Sequence, residues 1–270
     1  MTDMKNIRLT KKLKTAILDH AKQEYEAGMS LNGSPKESCG VVVDNQYIPC
    51  TNLSEEEDQF SIDPIDLVRA EAVGEIQAYV HSHPDGTTEA SEPDRVGINH
   101  HGKTWLICSY PEEDIALYNP DGYVLPLLGR NYFHSIQDCY TIVKDYYARE
   151  LNITLNDYER KDLWWEDEAN ESLYYNNFKN EGFVEVHDSP KKHDVILFTL
   201  GKTFHVNHAG IYLEDGKLTS EEAPEVIGNT LFLHHPFKRL ARREIYGSYW
   251  SDRTSFVLRH KSLLGEALDD

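Results

Sequence analysis

The length of the chain, 270 residues, favours two domains over one, because typical domains have roughly 100 to 200 residues. Hydrophobic residues make up 40% of the sequence and aromatic residues 11%, a composition that supports folded cores and differs from that of disordered chains. The formal charge of −19 repels phosphate backbones and anionic lipids, which argues against nucleic acid and membrane surfaces as partners. The absence of a long apolar run and of a secretory signal predicts a protein that is made and kept in a cytosol.

The first half of the sequence predicts one helix followed by several strands. Apolar residues recur every four positions from Leu9 to Tyr25, which is typical of a helix, and Gly28 is expected to end it. This order of elements predicts an α+β or three-layer unit. Short apolar runs bounded by turn residues predict strands at 39–43, 76–80, 105–108 and 115–118.

A strong turn signal, Asn-Pro-Asp-Gly, occupies residues 119–122. The segment that follows, as far as residue 130, has no long helical or strand period. We therefore place the domain boundary near residue 122, between an N-terminal domain of residues 1–122 and a C-terminal domain of residues 123–270.

The second half predicts a helix first and a sheet afterwards. The helix is expected to begin near Ser135 or Asp138, either of which can cap it, so Cys139 falls in its first turn. Residues 156–181 are mostly polar with interspersed aromatics and predict an irregular or partly helical insertion. Further strands are predicted at 195–200, 209–213, 230–233 and 255–258.

A possible metal centre follows the second predicted strand. His81 and His83 are two positions apart, so their imidazoles share one face of that strand, and Ser91 and Asp94 come shortly afterwards. Two histidines and one carboxylate leave a fourth position open on tetrahedral zinc, which is typical of catalytic sites. Such a site also needs a proton acceptor. Glu37 precedes a strand that can lie beside the strand leading to His81 and His83.

These five residues resemble the motif of the JAMM, or MPN-plus, zinc metalloprotease family, over about residues 5–118. The resemblance implies that zinc is bound by His81, His83 and Asp94. It also implies that Glu37 is the general base and that Ser91 helps stabilise the tetrahedral oxyanion. Two alternatives stay open at this point: a surface histidine loop in which Ser91 or Asp94 merely caps the next helix, or a zinc ion that only stabilises the fold.

Cys139 is a candidate nucleophile, because the helix dipole and free backbone N–H groups of a first helical turn lower the pKa of a thiol. His208, at the head of a predicted strand, can supply the imidazole base. The orienting group can come from His234 or His235. Side chains alternate along a strand, so a core position for Leu233 places His235 on the core face and leaves His234 for His208.

The Asp138-Cys139 pair, the strand that begins at His208 and the upstream Tyr132 resemble the NlpC-type cysteine peptidase family, over about residues 126–262. The resemblance implies a papain-like fold and peptide bonds of cell-wall stem peptides as the substrate. It also implies Cys139 as nucleophile, His208 as base and His234 as the orienter. The alternative is that Cys139 is an ordinary packed helix cysteine.

A JAMM domain followed by an NlpC-type domain resembles the tail-tip assembly protein K family of tailed bacteriophages, and residues 239–250 are similar to that family's ending. The implied fold class is α+β: an N-terminal JAMM-like α/β/α unit with a mixed sheet and flanking helices, then a papain-like NlpC-type α+β domain. The implied partners are peptide substrates and other phage tail-tip proteins, with no nucleic acid and no membrane span.

The same resemblance implies a location in the host bacterial cytoplasm during assembly and leaves the virion tail tip open as a second location. Two functions remain open. In one, at least one site cleaves a peptide or isopeptide bond of the cell wall or of a tail protein. In the other, both folds are non-catalytic scaffolds that bind assembly partners. A deubiquitinase-like isopeptidase, suggested by relatives of the zinc domain, is disfavoured by the bacterial setting.

Overall fold

The structure is a computed structural model, and it describes residues 7–54, 59–134, 136–158, 160, 163–170 and 172–264. Ser135, one of the two candidate helix caps, lies outside these residues. The chain divides into two compact units, Met1–Val124 and Leu125–Asp270. None of the helices in the described ranges combines the length and the apolarity that a membrane span needs.

The first unit is a five-stranded sheet between helices. Its elements are α1 (Lys11–Asn32), β1 (Cys39–Val43), β2 (Gln46–Cys50), α2 (Pro64–Val73), β3 (Ile76–Pro84), α3 (Glu92–His101), β4 (Thr104–Tyr110) and β5 (Ile115–Tyr118). The strand order is β2-β1-β3-β4-β5. The β3–β4 pair is parallel and the other three pairs are antiparallel, so the sheet is mixed.

Helix α1 covers one face of this sheet with an apolar stripe. Leu13, Ile17 and Ala21 recur every four residues, which puts them on one side of a helix, and all three are buried against strand side chains. Thr10 caps the helix by accepting a hydrogen bond from the Leu13 N–H at 3.2 Å.

The helix continues past Gly28, where the sequence predicted its end, and reaches Asn32 before Gly33 caps it in the left-handed region. A Cβ atom on Gly28 would lie 2.6 Å from the Ser34 carbonyl oxygen. Gly28 is therefore needed where the chain folds back against its own helix, and this tertiary requirement does not stop the helix.

Helices α2 and α3 cover the opposite face. Ala70 of α2 is buried with Val41 and Ile76 of the sheet. On α3, a Cβ atom at Gly97 would lie 2.6 Å from the Trp105 ring, so glycine allows the helix to pack directly on that ring. The unit is thus an α/β/α sandwich, and α3 lies on the face to which the metal-motif histidines point.

The second unit has a six-stranded sheet in the order β10-β9-β8-β7-β11-β6, and all five neighbouring pairs are antiparallel. Its elements are α4 (Cys139–Leu151), α5 (Leu173–Asn177), β6 (Phe183–Val186), β7 (Val195–Phe198), β8 (His208–Glu214), β9 (Leu231–His234), β10 (Arg242–Ile245), α6 (Ser248–Ser251) and β11 (Thr254–His260).

Each face of this second sheet carries its own apolar cluster. Helix α4 packs on one face, where its Ile142 and Tyr146 meet Ala209 of β8 and Leu233 of β9. Since side chains alternate along a strand, the neighbours of these strand residues point to the other face. That face holds a separate cluster of Ile196, Phe198, Tyr212 and Phe232, with Tyr246 and Trp250 packed against it.

The α+β class predicted from the sequence is confirmed in both units. The insertion between 156 and 181 forms a short 3₁₀ turn, Trp164–Glu166, and the five-residue helix α5 within its described part. The sequence did not predict strands β2, β6 and β10, because none of them has a continuous apolar run. Backbone pairing with a neighbouring strand sets their conformation.

Candidate functional site

The first candidate site lies at the end of β3, where two histidines meet a carboxylate from α3. His81 and His83 share one face of the strand, and their Nε2 atoms are 3.0 Å apart. The Asp94 oxygens lie 3.1 Å from His81 Nε2 and 3.3 Å from His83 Nε2. The three side chains therefore direct their nitrogen and oxygen atoms into one small volume.

This donor set fits a small tetrahedral cation. Ligand atoms about 2.0–2.1 Å from a tetrahedral zinc ion lie roughly 3.3 Å from one another, close to the 3.0–3.3 Å found between these atoms. His83 Nδ1 donates to the Thr87 carbonyl at 2.7 Å, so in the neutral ring Nε2 keeps the lone pair that a metal needs. His81, His83 and Asp94 could thus hold a metal ion.

Burial and hydrogen bonding shift the pKa values of all three residues of this cluster. Burial alone would raise the pKa of Asp94, but hydrogen bonds with the two histidines and Ser91 outweigh it and hold that pKa far below its usual range. Burial lowers the pKa of His81. Burial also acts to lower the pKa of His83, but the hydrogen bond and charge of Asp94 raise it overall.

Ser91 is the N-cap of α3, one of the alternatives that the sequence left open. Its hydroxyl and its backbone N–H both donate to Asp94 Oδ2, at 2.7 and 2.8 Å, and the Asp94 N–H donates to Ser91 Oγ at 3.3 Å. This capping box coexists with the His-His-Asp cluster and fixes the direction of the carboxylate. The oxyanion role of Ser91 stays a prediction.

Glu37 lies beside the cluster because β1 runs antiparallel to β3. The Ser38 N–H donates to Ser82 Oγ at 2.8 Å, and continuing this register places Glu37 opposite His83. Glu37 is only 5% exposed, and its charge raises the pKa of His83. A buried carboxylate next to the cluster is the placement that a general base requires.

Two aromatic residues that the sequence reasoning missed enclose His81. The Phe60 ring stacks on it with centroids 4.5 Å apart and an interplanar angle of 19°. The Trp105 ring meets it edge-on, with centroids 5.5 Å apart. Both rings fix the imidazole and exclude water from its faces, but neither belongs to the motif, so no local signal marked them.

The second candidate site begins at Cys139, the first residue of α4. Asp138 is the N-cap, since its Oδ1 accepts from the backbone N–H groups of Tyr140 and Thr141 at 3.0 and 2.9 Å. The first-turn position predicted for Cys139 is therefore present. Its Sγ lies 3.2 Å from Oη of Tyr174, a residue of the insertion that the sequence did not single out.

The pKa of Cys139 is raised, not lowered as the sequence predicted. Burial raises it to about 11, and the charge of Asp138 acts in the same direction. Hydrogen bonds to Tyr174 and to the Ala209 backbone N–H lower it by less. The prediction was wrong because desolvation and an adjacent carboxylate outweigh the helix dipole. Cys139 is a protonated thiol at neutral pH and needs a base.

Cys139 should still be the first of the four cysteines to be alkylated, because it is half-buried and the others are buried. Its rate should rise about tenfold per pH unit from pH 7 to 9, as the thiolate fraction does below the pKa. Mass-spectrometric mapping after brief iodoacetamide treatment measures this. A rate that levels off near pH 7, or faster labelling of another thiol, would contradict the prediction. The other three cysteines are Cys39, Cys50 and Cys108.

The cap of α4 is also half of a buried ion pair. Arg160 Nε donates to Asp138 Oδ2 at 2.6 Å, and the two residues are 7% and 2% exposed. Burial acts to raise the pKa of Asp138, but the charge of Arg160 and the hydrogen bonds to Thr141 lower it overall. A residue of the insertion thus fixes the start of the cysteine helix.

We expect Asp138→Ala to lower the free energy of unfolding by about 3–5 kcal/mol, because it removes the cap and leaves Arg160 buried without its closest carboxylate. The matched control is Asp157→Ala, which removes the more exposed partner of Arg160 and should cost at most about 1 kcal/mol. Denaturant unfolding at neutral pH measures both. Equal costs for the two variants would contradict the role given to the buried pair.

The contribution of Asp138 to stability should decrease as the pH falls. The folded-state pKa of Asp138 is lowered, so its stabilisation is fully present above the unfolded pKa of about 3.9 and is lost as pH falls through the folded value. The difference in stability between the native protein and Asp138→Ala should therefore shrink below about pH 4.

Two of the histidines form a pair. His208 Nε2 lies 2.9 Å from His234 Nδ1, so His234 and not His235 meets His208, as the alternation of strand side chains predicts. His235 lies elsewhere, with its ring edge-on to that of Tyr132 at a centroid distance of 5.3 Å. Both His234 and His235 are fully buried.

The structure does not join Cys139 directly to this pair. The His208 ring lies on the face of Phe198 and Trp250, whereas Ala209 points to α4. Among the described residues, no hydrogen bond links Cys139 to His208. The thiol reaches the Ala209 N–H, which belongs to the peptide bond that follows His208.

Comparison with protein families finds both domains in the predicted order. The model of prokaryotic homologs of the JAB domain matches residues 10–119, and that of the NlpC/P60 family matches residues 129–259. The predicted order of domains, a JAMM-like domain followed by an NlpC-type domain, is thereby confirmed.

Two relatives match most of the chain. "Tail tip assembly protein K" of Escherichia phage N15 is 36% identical over 255 residues, which cover 93% of this chain and 95% of the relative. The protein of the same name from Escherichia phage lambda is 34% identical over 201 residues, covering 74% and 89%. A solution structure of a Desulfitobacterium hafniense protein is 22% identical and covers 40% of this chain and 78% of its own, with a TM-score of 0.31.

Proposed function

The chain belongs to the tail tip assembly protein K family, and we propose on this premise that it assembles a phage tail tip and that each domain cleaves an amide bond. The observation that carries the hydrolase proposal is the convergence of His81, His83 and Asp94, whose donor atoms lie within 4.8 Å of one another, beside the buried Glu37. A capped, desolvated three-ligand cluster next to a carboxylate is an arrangement suited to metal-assisted hydrolysis.

In the first site we propose zinc, with His81, His83 and Asp94 as its ligands. When bound, zinc supplies a Lewis acid that polarises the scissile carbonyl and makes water more acidic. Glu37 takes the proton from the attacking water and returns it to the leaving nitrogen. Ser91 keeps Asp94 in the ligand orientation through the capping box. The reaction class is that of a metallopeptidase or isopeptidase.

In the second site we propose Cys139 as nucleophile, His208 as base and His234 as the group that orients the base. Burial holds the pKa of His208 well below its usual value, so its ring is neutral and can accept a proton. The pKa of Cys139 is raised to about 11, so almost no thiolate is present at neutral pH. His208 therefore has to take the thiol proton as the sulfur attacks. This role requires the thiol, which is paired with Tyr174, to come within hydrogen-bond reach of the His208 ring, whose neighbours Phe198 and Trp250 lie on the other face of the sheet.

We propose that the substrates are cell-wall stem peptides or a tail protein and that the partners are other tail-tip proteins. The relatives in two Escherichia phages support a host bacterial cytoplasm as the place of assembly. The virion tail tip is the second location that we propose.

A second candidate function is a non-catalytic assembly factor that uses both folds as binding scaffolds. One observation favours it: the Cys139 thiol is paired with Tyr174 at 3.2 Å, and its pKa is raised. A thiol in this state is poorly activated. The two candidates differ in whether infection depends on single reactive atoms.

The deciding experiment places Glu37→Gln and Cys139→Ser separately in a phage that encodes the chain and counts infectious particles. An enzyme requires at least one of these groups, so we expect at least one variant to lose infectivity by orders of magnitude. The matched controls are Glu26→Gln, on the exposed side of α1, and Cys50→Ser, which removes a thiol outside the site. Full infectivity of both site variants would refute the enzyme proposal and support the scaffold function.

A further inference from the structure

We propose that Glu244 is a positioning residue for the histidine pair: it orients His234 and, through that ring, decides which nitrogen of His208 is free to accept a proton. This inference rests on the proposed role of His208 as the base for Cys139. It adds a carboxylate that the sequence analysis did not name as a site residue.

The geometry of β9 and β10 brings the carboxylate to the ring. The two strands pair antiparallel, with Arg242 opposite His234. Glu244 Oε1 lies 3.6 Å from His234 Nε2, and this nitrogen is buried without a hydrogen-bond partner in the part of the chain that the structure describes. The distance is longer than a hydrogen bond, but a carboxylate this close still favours an N–H directed at it.

The carboxylate itself is held in place at both oxygens. Arg242 donates to Oε1 of Glu244, and the Trp250 Nε1–H donates to Oε2 at 3.0 Å. The Trp250 ring also meets the His234 ring edge-on, with centroids 4.9 Å apart and an interplanar angle of 79°. His234 and Arg242 lower the pKa of Glu244 to about 2, so the group is an anion at neutral pH.

A fixed anion at this position sets the proton pattern of both rings. A carboxylate accepts and does not donate, so His234 carries its proton on Nε2 and has a lone pair on Nδ1. That Nδ1 lies 2.9 Å from His208 Nε2, which must then donate. The free lone pair of His208 is consequently on Nδ1, and this atom is the one left to take the proton of a thiol.

The other charged and titratable groups near the pair shift the pKa values of His208 and His234 in the direction opposite to that of Glu244. His235 lowers the pKa of His208, and Arg242 lowers that of His234. Glu244 acts to raise both. Among the described residues, the rings of Phe198, Phe232 and Trp250 also pack against the pair. Loss of Glu244 would therefore leave the pair beside the Arg242 cation and apolar rings.

The test is ¹⁵N NMR of the full-length, histidine-labelled protein at pH 8, where the shift of each ring nitrogen reports whether it carries a proton. We expect the native protein to show Nε2–H on both His208 and His234. In Glu244→Gln and Glu244→Ala, signals of an Nδ1–H form of His234 should appear. Glu225→Gln, at an exposed loop position, is the matched control and should keep the native pattern.

A native His234 with Nδ1–H, or unchanged ring signals in both Glu244 variants, would overturn the inference. A merely structural carboxylate would change the thermal midpoint without changing the tautomers, and Glu244→Gln keeps the volume if the alanine variant does not fold. The measurement needs no substrate. If the tautomers are as expected but Cys139→Ser leaves the phage infectious, the proposed role of the cysteine site fails and the positioning of His234 stands.

Discussion

Replacing His81, His83 or Asp94 by alanine, one at a time, is expected to reduce the zinc content of the purified protein from about one ion per chain to almost none. The reason is that each of the three side chains contributes one donor atom to the same small volume, so its loss leaves two ligands. Metal analysis after metal-replete purification and desalting measures the content. Zinc retained when all three are replaced, or absent from the native protein, would refute the proposed metal site.

Two further variants separate binding from chemistry. Glu37→Gln should keep the zinc and abolish hydrolysis, because it removes a proton acceptor and no ligand. His100→Ala removes an exposed histidine of α3 that is outside the cluster, and it should change neither property. Loss of zinc in Glu37→Gln would mean that this carboxylate is a ligand and not a base.

His208→Ala and His234→Ala are expected to lower turnover at the cysteine site by about 10²–10⁴-fold, the range for losing a base or the group that orients it. The reason is the 2.9 Å contact between the two rings, which fixes the tautomer of the base. Cleavage of purified cell-wall stem peptides, followed by chromatography, measures turnover, and the thermal midpoint shows whether each variant is folded.

His235→Ala is the matched control, since it removes the adjacent buried imidazole. His235 packs against Tyr132 and not against His208, so its loss should reduce stability and leave turnover within a few-fold. The opposite result, in which His235 is required and His234 is dispensable, would assign the orienting role to the imidazole next to Tyr132 and refute the role proposed for His234.

The sequence alone determined those features that depend on near neighbours along the chain. The two-residue period of a strand puts His81 and His83 on one face and separates His234 from His235. The capping preference of Asp places Cys139 in the first turn of α4. The four-residue spacing of Leu13, Ile17 and Ala21 predicts α1, and the order of motifs predicts the two families.

The sequence failed where an element depends on what it pairs with. Strand β10 has the sequence Arg-Arg-Glu-Ile and no strand signal of its own, and it forms because the edge of β9 offers backbone hydrogen bonds. A glycine at position 28 indicates a helix end, but Gly28 lies inside α1. Glycine is required there because the chain returns past it at Ser34 and occupies the space that a Cβ atom would fill.

Only the tertiary structure decided the chemistry of the cysteine. Tyr174 and Arg160, both from an insertion without a clear pattern, bond to Cys139 and to its cap Asp138. Burial by these distant segments raises the pKa of the thiol to about 11. Desolvation depends on every atom packed around a group, and those atoms come from parts of the chain whose arrangement the local pattern does not contain. Local spacing therefore located the nucleophile, and the packing of remote residues set its protonation.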